Sequence, residues 1–116
     1  MIPEPDLWLL PDAIYDGSRL RPGAALGLAQ DRSLHIADTA PPGAVIRRVT
    51  GIVTPGFLDL QVNGGGDALL NNDQSPAALH RMSAAHRHFG TVGILPTVIT
   101  DAPEVLSRAV EAVLAA

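Results

Sequence analysis

The 116-residue chain has no cysteine, which removes disulfide frameworks, thiolate zinc sites and cysteine nucleophiles. Lysine is missing too: all 8 basic residues are arginine. Against 12 acidic residues they leave a formal net charge of -4, so neither nucleic acid nor an anionic membrane is an expected partner. Aromatic rings are scarce, with Trp8, Tyr15, Phe57 and Phe89 the whole set. No run reaches the roughly eighteen apolar residues of a membrane span. The start, Met1-Ile2-Pro3-Glu4-Pro5-Asp6, has no positive region and no long apolar run, so no secretory leader is expected. What remains is a chain of ordinary domain length, aliphatic enough for a core and expected to be cytoplasmic.

Residues 1–54 consist of short strand-like pieces separated by turn residues. Leu7 to Leu10 closes at Pro11, and Ala13-Ile14-Tyr15 runs into Asp16-Gly17. Ala24 to Ala29 and Leu34 to Ala37 flank the hairpin-like Gln30-Asp31-Arg32-Ser33. Val45 to Val49 resumes the extended pattern, and Ile52-Val53 leads into Pro55. These pieces predict a small β-sheet unit too thin to bury a good core alone.

Residues 55–116 follow a strand–helix–strand–helix pattern. From Phe57 to Asn63 the chain alternates: Leu58, Leu60 and Val62 fall on one side, Asp59, Gln61 and Asn63 on the other. The apolar side calls for a packed neighbour such as a helix layer. Gly64, Gly65 and Gly66 then permit a sharp turn or close approach to a ligand. Ser75 and Pro76 are suited to the N-cap and first position of a helix with Leu79, Met82, His86 and Phe89 on one face, closed by Gly90 at C′. Thr91 to Thr100 reads as a buried parallel strand whose regular part ends near Leu95, before Pro96. Asp101 and Glu104 form a capping-box pattern. In the last helix Val105, Leu106, Ala109, Val110, Val113 and Leu114 share an apolar face, and Glu104, Arg108 and Glu111 make a charge ladder. Two successive β/α units imply a parallel sheet, the start of an α/β fold.

Among the candidate chemical groups, His86 and His88 have the spacing of a metal-binding His-x-His pair. In a helix, however, a two-residue step points side chains about 200° apart, so both are expected on the helix surface or at an interface. His35 and His80 have no partner nearby in sequence. Gln61 and Asn63 share a side of their strand, where their amides suit a bound water or substrate hydroxyl better than a transition metal. Asp59, one step deeper, is expected to be structural, accepting hydrogen bonds at the strand base. Thr97 and Thr100 lie just past the second strand, placed either to meet substrate or to cap a turn.

Val53-Thr-Pro-Gly-Phe-Leu-Asp-Leu-Gln-Val-Asn-Gly-Gly-Gly66, together with His88-Phe-Gly-Thr91 and Leu95-Pro-Thr-Val-Ile-Thr100, resembles the amidohydrolase superfamily, and within it the N-acetylglucosamine-6-phosphate deacetylase family. The resemblance implies an α/β fold: the first two β/α units of a (β/α)8 TIM-type barrel over 55–116, preceded by part of a small β-sandwich over 1–54. It implies hydrolysis of an amino-sugar phosphate to glucosamine 6-phosphate and acetate, with one divalent metal, usually zinc, polarising the acetamide carbonyl. A homodimer is implied for the complete enzyme. Gln61-Val62-Asn63 stands where most amidohydrolases have His-x-His, which is similar to the single-metal branch. On this resemblance Gln61, Asn63, Gly64, Gly65 and Thr97 line the active site and Asp59 is structural. The family's metal ligands and catalytic aspartate match no position in this chain. The chain is therefore expected to be the N-terminal quarter to third of such an enzyme, inactive and metal-free alone.

Two other readings stay open. A remnant of this kind could serve as a non-catalytic module that associates with itself or a partner through open strand edges. A dihydroorotase-like amidohydrolase would share the Pro-Gly-Phe-x-Asp opening, but Gln61 and Asn63 replace the histidine pair that such enzymes use.

Overall fold

A computed structural model of the chain describes residues 4–116; the opening Met1-Ile2-Pro3, expected not to be part of a leader, lies outside the described residues. The fold is mixed α/β, with eleven strands and two helices among the described residues. It divides into two compact units, Met1–Pro55 and Gly56–Ala116.

The first unit holds seven short strands: β1 (Leu7–Leu10), β2 (Ala13–Tyr15), β3 (Leu20–Pro22), β4 (Ala25–Leu28), β5 (Leu34–Ala37), β6 (Ile46–Arg48) and β7 (Ile52–Val53). They form a four-stranded sheet ordered β5-β4-β1-β6 and a three-stranded sheet ordered β3-β2-β7. Neighbours in sequence pair antiparallel, β4 with β5 and β2 with β3, while the later strands β6 and β7 return to lie parallel to β1 and β2. Both sheets contribute to one apolar cluster, with Ile14, Ala24 and Leu26 buried and Leu9, Leu28 and Val53 packed around them. The Asp16-Gly17 turn forms as expected: Asp16 Oδ1 accepts from the amides of Ser18 and Arg19 at 3.0 and 2.9 Å. Those two bonds hold the Asp16 carboxyl below its ordinary value, the Arg19 amide acting most. Leu20–Pro22 was not expected as a strand; Arg21 and Pro22 hide its pairing with β2.

In the second unit β8 (Phe57–Val62) and β11 (Thr91–Pro96) pair in parallel. Between them lie β9 (Gly64–Gly65), β10 (Ala68–Leu69) and helix α1 (Pro76–Arg87); α2 (Pro103–Ala115) follows β11. Ser75 caps α1, accepting from the Ala78 amide at 3.1 Å, with Pro76 in the first turn. Val62, Leu70, Leu79, Met82, Ala109 and Ala112 are buried in a core to which both helices contribute.

Several local expectations are corrected. The β8 alternation is interrupted. Phe57 to Leu58 is one step against two from Thr91 to Gly93, and Asp59 to Val62 is three against two from Ile94 to Pro96, so each strand bulges once. The apolar side therefore does not bury as one: Val62 is 2% exposed, Leu58 70% and Leu60 69%. β11 is likewise not buried on both sides, since Val92 and Leu95 are exposed. Phe89 leaves the α1 face and is exposed. The α1 cap is His88, so the left-handed Gly90 (φ 94°) sits two residues past the cap rather than one. Helix α2 begins after Ala102 with no side-chain cap, because Asp101 turns its carboxylate to the Ala102 amide and to Asn71. Its buried stripe is Ala109 and Ala112, with Val110, Val113 and Leu114 exposed, and Arg108 donates to Gln74 rather than completing a ladder.

Candidate active site

The ends of β8 and β11 are joined by a polar network. The Val62 carbonyl accepts from the Thr97 amide at 2.9 Å, which continues the main-chain pairing past β11. Asn63 Nδ2 donates to Thr97 Oγ1 at 2.9 Å. The Asn63 carbonyl accepts from the Leu70 amide at 2.9 Å, which folds the following segment back. Asn63 and Thr97, both half-buried, thus meet directly across the strand ends. Gln61 is exposed; its backbone N–H donates to Asp59 Oδ1 at 3.1 Å, a local bond within the bulge.

Gly64 and Gly65 do not form a free loop. They pair with Leu69 and Ala68 in a hairpin whose two turn residues, Gly66 and Asp67, both have φ of 57°, the backbone sign of a type I′ turn. This hairpin lies on α1. A Cβ at Gly65 would come within 2.9 Å of His86 Nε2, and one at Gly66 within 3.0 Å of the Arg81 carbonyl. A Cβ at Gly64 would meet the Ala68 carbonyl at 2.6 Å. The glycine run is therefore required by packing inside the unit, whatever else it meets.

Two groups, Asn71 and Gln74, escaped the sequence reading. Asn71 clamps the segment after β11: its Oδ1 accepts from the Ile99 amide and its Nδ2 donates to the Ile99 carbonyl, each at 2.9 Å. The same Nδ2 reaches Asp101 Oδ2 at 2.8 Å. That bond, followed by the Ala102 amide, holds the Asp101 carboxyl below its ordinary value. Gln74 donates to the Leu70 and Asn71 carbonyls and accepts from Arg108 Nε at 3.1 Å. His86 Nε2 lies 3.0 Å from the Gly64 carbonyl, with Nδ1 3.8 Å from Asp59 Oδ2. The readable signal was the run Asn71-Asn72-Asp73-Gln74, polar amides concentrated between two core segments. Asp73 is drawn below its ordinary carboxyl value by the Ser75 hydroxyl first and Arg81 second.

The strand-end donor set does not suit a divalent metal. Asn63 and Gln61 offer only neutral amide oxygens, weak ligands for a transition metal, and no group of three or more His, Asp or Glu among the described residues is arranged to hold an ion. The arrangement can instead present neutral amides and a hydroxyl, groups that position a polar ligand without supplying strong charge.

No protein-family model matches the chain. Over 67 residues it is 48% identical to the N-acetylgalactosamine-6-phosphate deacetylase of Shewanella sp. (strain ANA-3), covering 58% of this chain and 17% of that protein. Over 59 residues it is 37% identical to the N-acetylglucosamine-6-phosphate deacetylase of Haemophilus influenzae, covering 51% and 16%. The crystal structure of N-acetyl-D-glucosamine-6-phosphate deacetylase from Mycobacterium smegmatis superposes with a TM-score of 0.79 at 29% identity, over 92% of this chain and 31% of that one. This chain resembles the amino-sugar-phosphate deacetylases. The deacetylase of Pasteurella multocida gives a TM-score of 0.76 at 28% identity, over 94% of this chain and 30% of its own. A mutant of the mycobacterial deacetylase, solved in complex with N-acetyl-D-glucosamine-6-phosphate, is similar at the same TM-score of 0.76. The chain thus spans under a third of each of these deacetylases.

Proposed function

We propose that the chain is part of an N-acetylhexosamine-6-phosphate deacetylase, which hydrolyses the acetamide of a phosphorylated amino sugar to the free amine and acetate. The observation that carries this reading is the coincidence of Gln61, Asn63 and Thr97 at the ends of two parallel strands with similarity to deacetylases over nearly the whole chain. In this reading residues 55–116 are the first two β/α units of a TIM-type barrel, and 1–54 belong to a small β-sandwich. Gln61, Asn63, Gly64, Gly65 and Thr97 line the sugar site, and Asp59 steadies the strand.

Their contribution is positional. Asn63, fixed by Thr97, and Gln61 offer amides to sugar hydroxyls or a bound water, while the acid–base groups come from elsewhere in the enzyme. One divalent metal, zinc, belongs to that complete enzyme and supplies Lewis acidity to the carbonyl; residues of this chain do not hold it. The complete enzyme is a cytoplasmic homodimer. No helix among the described residues is long and apolar enough to cross a membrane.

The test is a chimera in which the matched 67 residues of the Shewanella deacetylase are replaced by those of this chain. It should release acetate from N-acetylgalactosamine 6-phosphate or N-acetylglucosamine 6-phosphate. Replacing Gln61 and Asn63 together by alanine should abolish turnover while metal content stays intact. A folded, metal-loaded chimera inert toward both sugars overturns the reading, and loss of metal in the double variant overturns the role given to the two amides.

One observation favours a second reading, a self-associating module. Leu58, Leu60, Val92 and Leu95 of the two-stranded sheet are all more than half exposed, and neither strand has a second neighbour among the described residues. Sedimentation of the purified chain distinguishes a defined oligomer from indefinite association.

A further inference from the structure

We propose that His86 is a positioning residue for the strand that carries Gln61 and Asn63. One imidazole on α1 hydrogen-bonds the chain just beyond the pair and lies against it just before the pair. Nε2 stands 3.0 Å from the Gly64 carbonyl, one residue beyond Asn63. Nδ1 faces Asp59 Oδ2 at 3.8 Å, two residues before Gln61. A carbonyl only accepts, so Nε2 carries the hydrogen and donates. Asp59 is itself committed to the strand, its other oxygen accepting from the Gln61 backbone amide at 3.1 Å.

The two contacts flank the bulge between Asp59 and Val62, where three steps on β8 match two on β11. A bulged segment lacks the one-to-one ladder that sets the aim of its side chains, and the His86 hydrogen bond from α1 to the Gly64 carbonyl supplies a constraint in its place. Glycine at 65 belongs to the same device, since a Cβ there would strike the ring at 2.9 Å. The ring is 28% exposed, so the bond is shielded while the imidazole stays within reach of solvent.

The consequence for turnover rests on the deacetylase reading; the positioning itself does not. Amide hydrogen exchange in the full chain tests the positioning. The reporters are the Leu70 amide, which donates to the Asn63 carbonyl, and the amides of residues 64–69. Glutamine places an amide where Nε2 stood, whereas asparagine reaches only as far as Nδ1. His86→Leu and His86→Asn should speed exchange at these amides about tenfold, and His86→Gln less than about threefold, with α2 unchanged. No change in His86→Leu, equal change in His86→Gln and His86→Asn, or acceleration spread evenly through α2 overturns the proposal. Should His86→Leu fail to fold, the glutamine–asparagine pair decides.

In a Shewanella chimera carrying residues 55–116 of this chain in place of the corresponding segment, kcat/KM should fall about tenfold in His86→Asn and recover in His86→Gln. Altered exchange with unaltered kcat/KM in His86→Asn also overturns the proposal. A chimera inert before any substitution, beside the expected exchange pattern in the chain, overturns only the deacetylase reading.

Discussion

Glycine does two kinds of work, unevenly shared between the units: the first has one contact glycine, Gly27, where a Cβ would meet the Pro5 ring at 2.6 Å, beside four turn glycines. In the first, Gly17, Gly23, Gly43 and Gly51 all have positive φ, and a Cβ on any of them would meet nothing within 4 Å. They are there for backbone sign alone. In the second, Gly64 and Gly65 have ordinary φ but sit where a Cβ would overlap a carbonyl or an imidazole. The first unit uses glycine mainly to turn the chain between short strands, of which only the pair flanking Gly17 are ladder partners. The second uses it to press a hairpin onto a helix, so that distant segments meet. Turn glycines are legible from local sequence, whereas contact glycines depend on what arrives from elsewhere.

The largest expected effect tests that division directly. Gly64→Ala and Gly65→Ala should each lower stability by about 1–3 kcal/mol, the usual cost of overpacking, read by urea unfolding of the chain. Gly43→Ala should cost about 1 kcal/mol from backbone strain. Asparagine, which tolerates the left-handed region, should recover much of the loss at 43 and none at 64. Equal costs at the two sites, or recovery by asparagine at both, would erase the distinction.

Next in size is the amide clamp of the second unit. Asn71→Ala removes both bonds to Ile99 and the bond to Asp101, and should cost about 1–3 kcal/mol because it strands partners. Ser75→Ala removes the α1 cap and should cost about 0.5–2 kcal/mol. A clamp variant milder than the cap variant would mean that local rather than long-range bonds hold this unit. On heating, the purified chain should melt with poor cooperativity and a concentration-dependent midpoint, given the exposed Leu58, Leu60, Val110 and Leu114. A sharp monomeric two-state melt would contradict this.

The smallest effect is on pH. Asp16 and Asp31 in the first unit, and Asp73 and Asp101 in the second, are all held below the ordinary 3.8 by hydrogen bonds. A depressed carboxyl contributes stability above its unfolded value and loses it as pH falls through its folded one. Both units should therefore weaken only below about pH 4. Asp101→Asn should flatten that acid limb for peptides of the second unit in hydrogen exchange and leave the first unit unchanged.

Much of this architecture was open to direct reading. Pro11, Asp16-Gly17 and the Gln30–Ser33 stretch punctuate the first unit, so β1, β2, β4 and β5 stand close to where turn chemistry puts them. Ser75-Pro76 announces α1 because capping is a local bond. The rest was hidden for one reason: it depends on a second segment. Alternation from Phe57 to Asn63 says nothing of how many residues the neighbouring strand sets against it. Asp101 looks like half of a capping box until Asn71, thirty positions earlier, takes its carboxylate. Asn63 and Thr97 were both singled out as candidates, but their direct bond was not visible, nor was the contact of His86, expected at a surface or interface, with the Gly64 carbonyl.

The bulge that ends at Val62 divides β8 into two environments. Before its end, substitutions that add charge should be absorbed at the even positions 58 and 60, which stand open. At its end, the even position 62 is sealed in the core. A saturation scan across 57–63 should therefore show tolerance at 58 and 60 that is lost at 62, a pattern that a flat ribbon of the same composition would not produce.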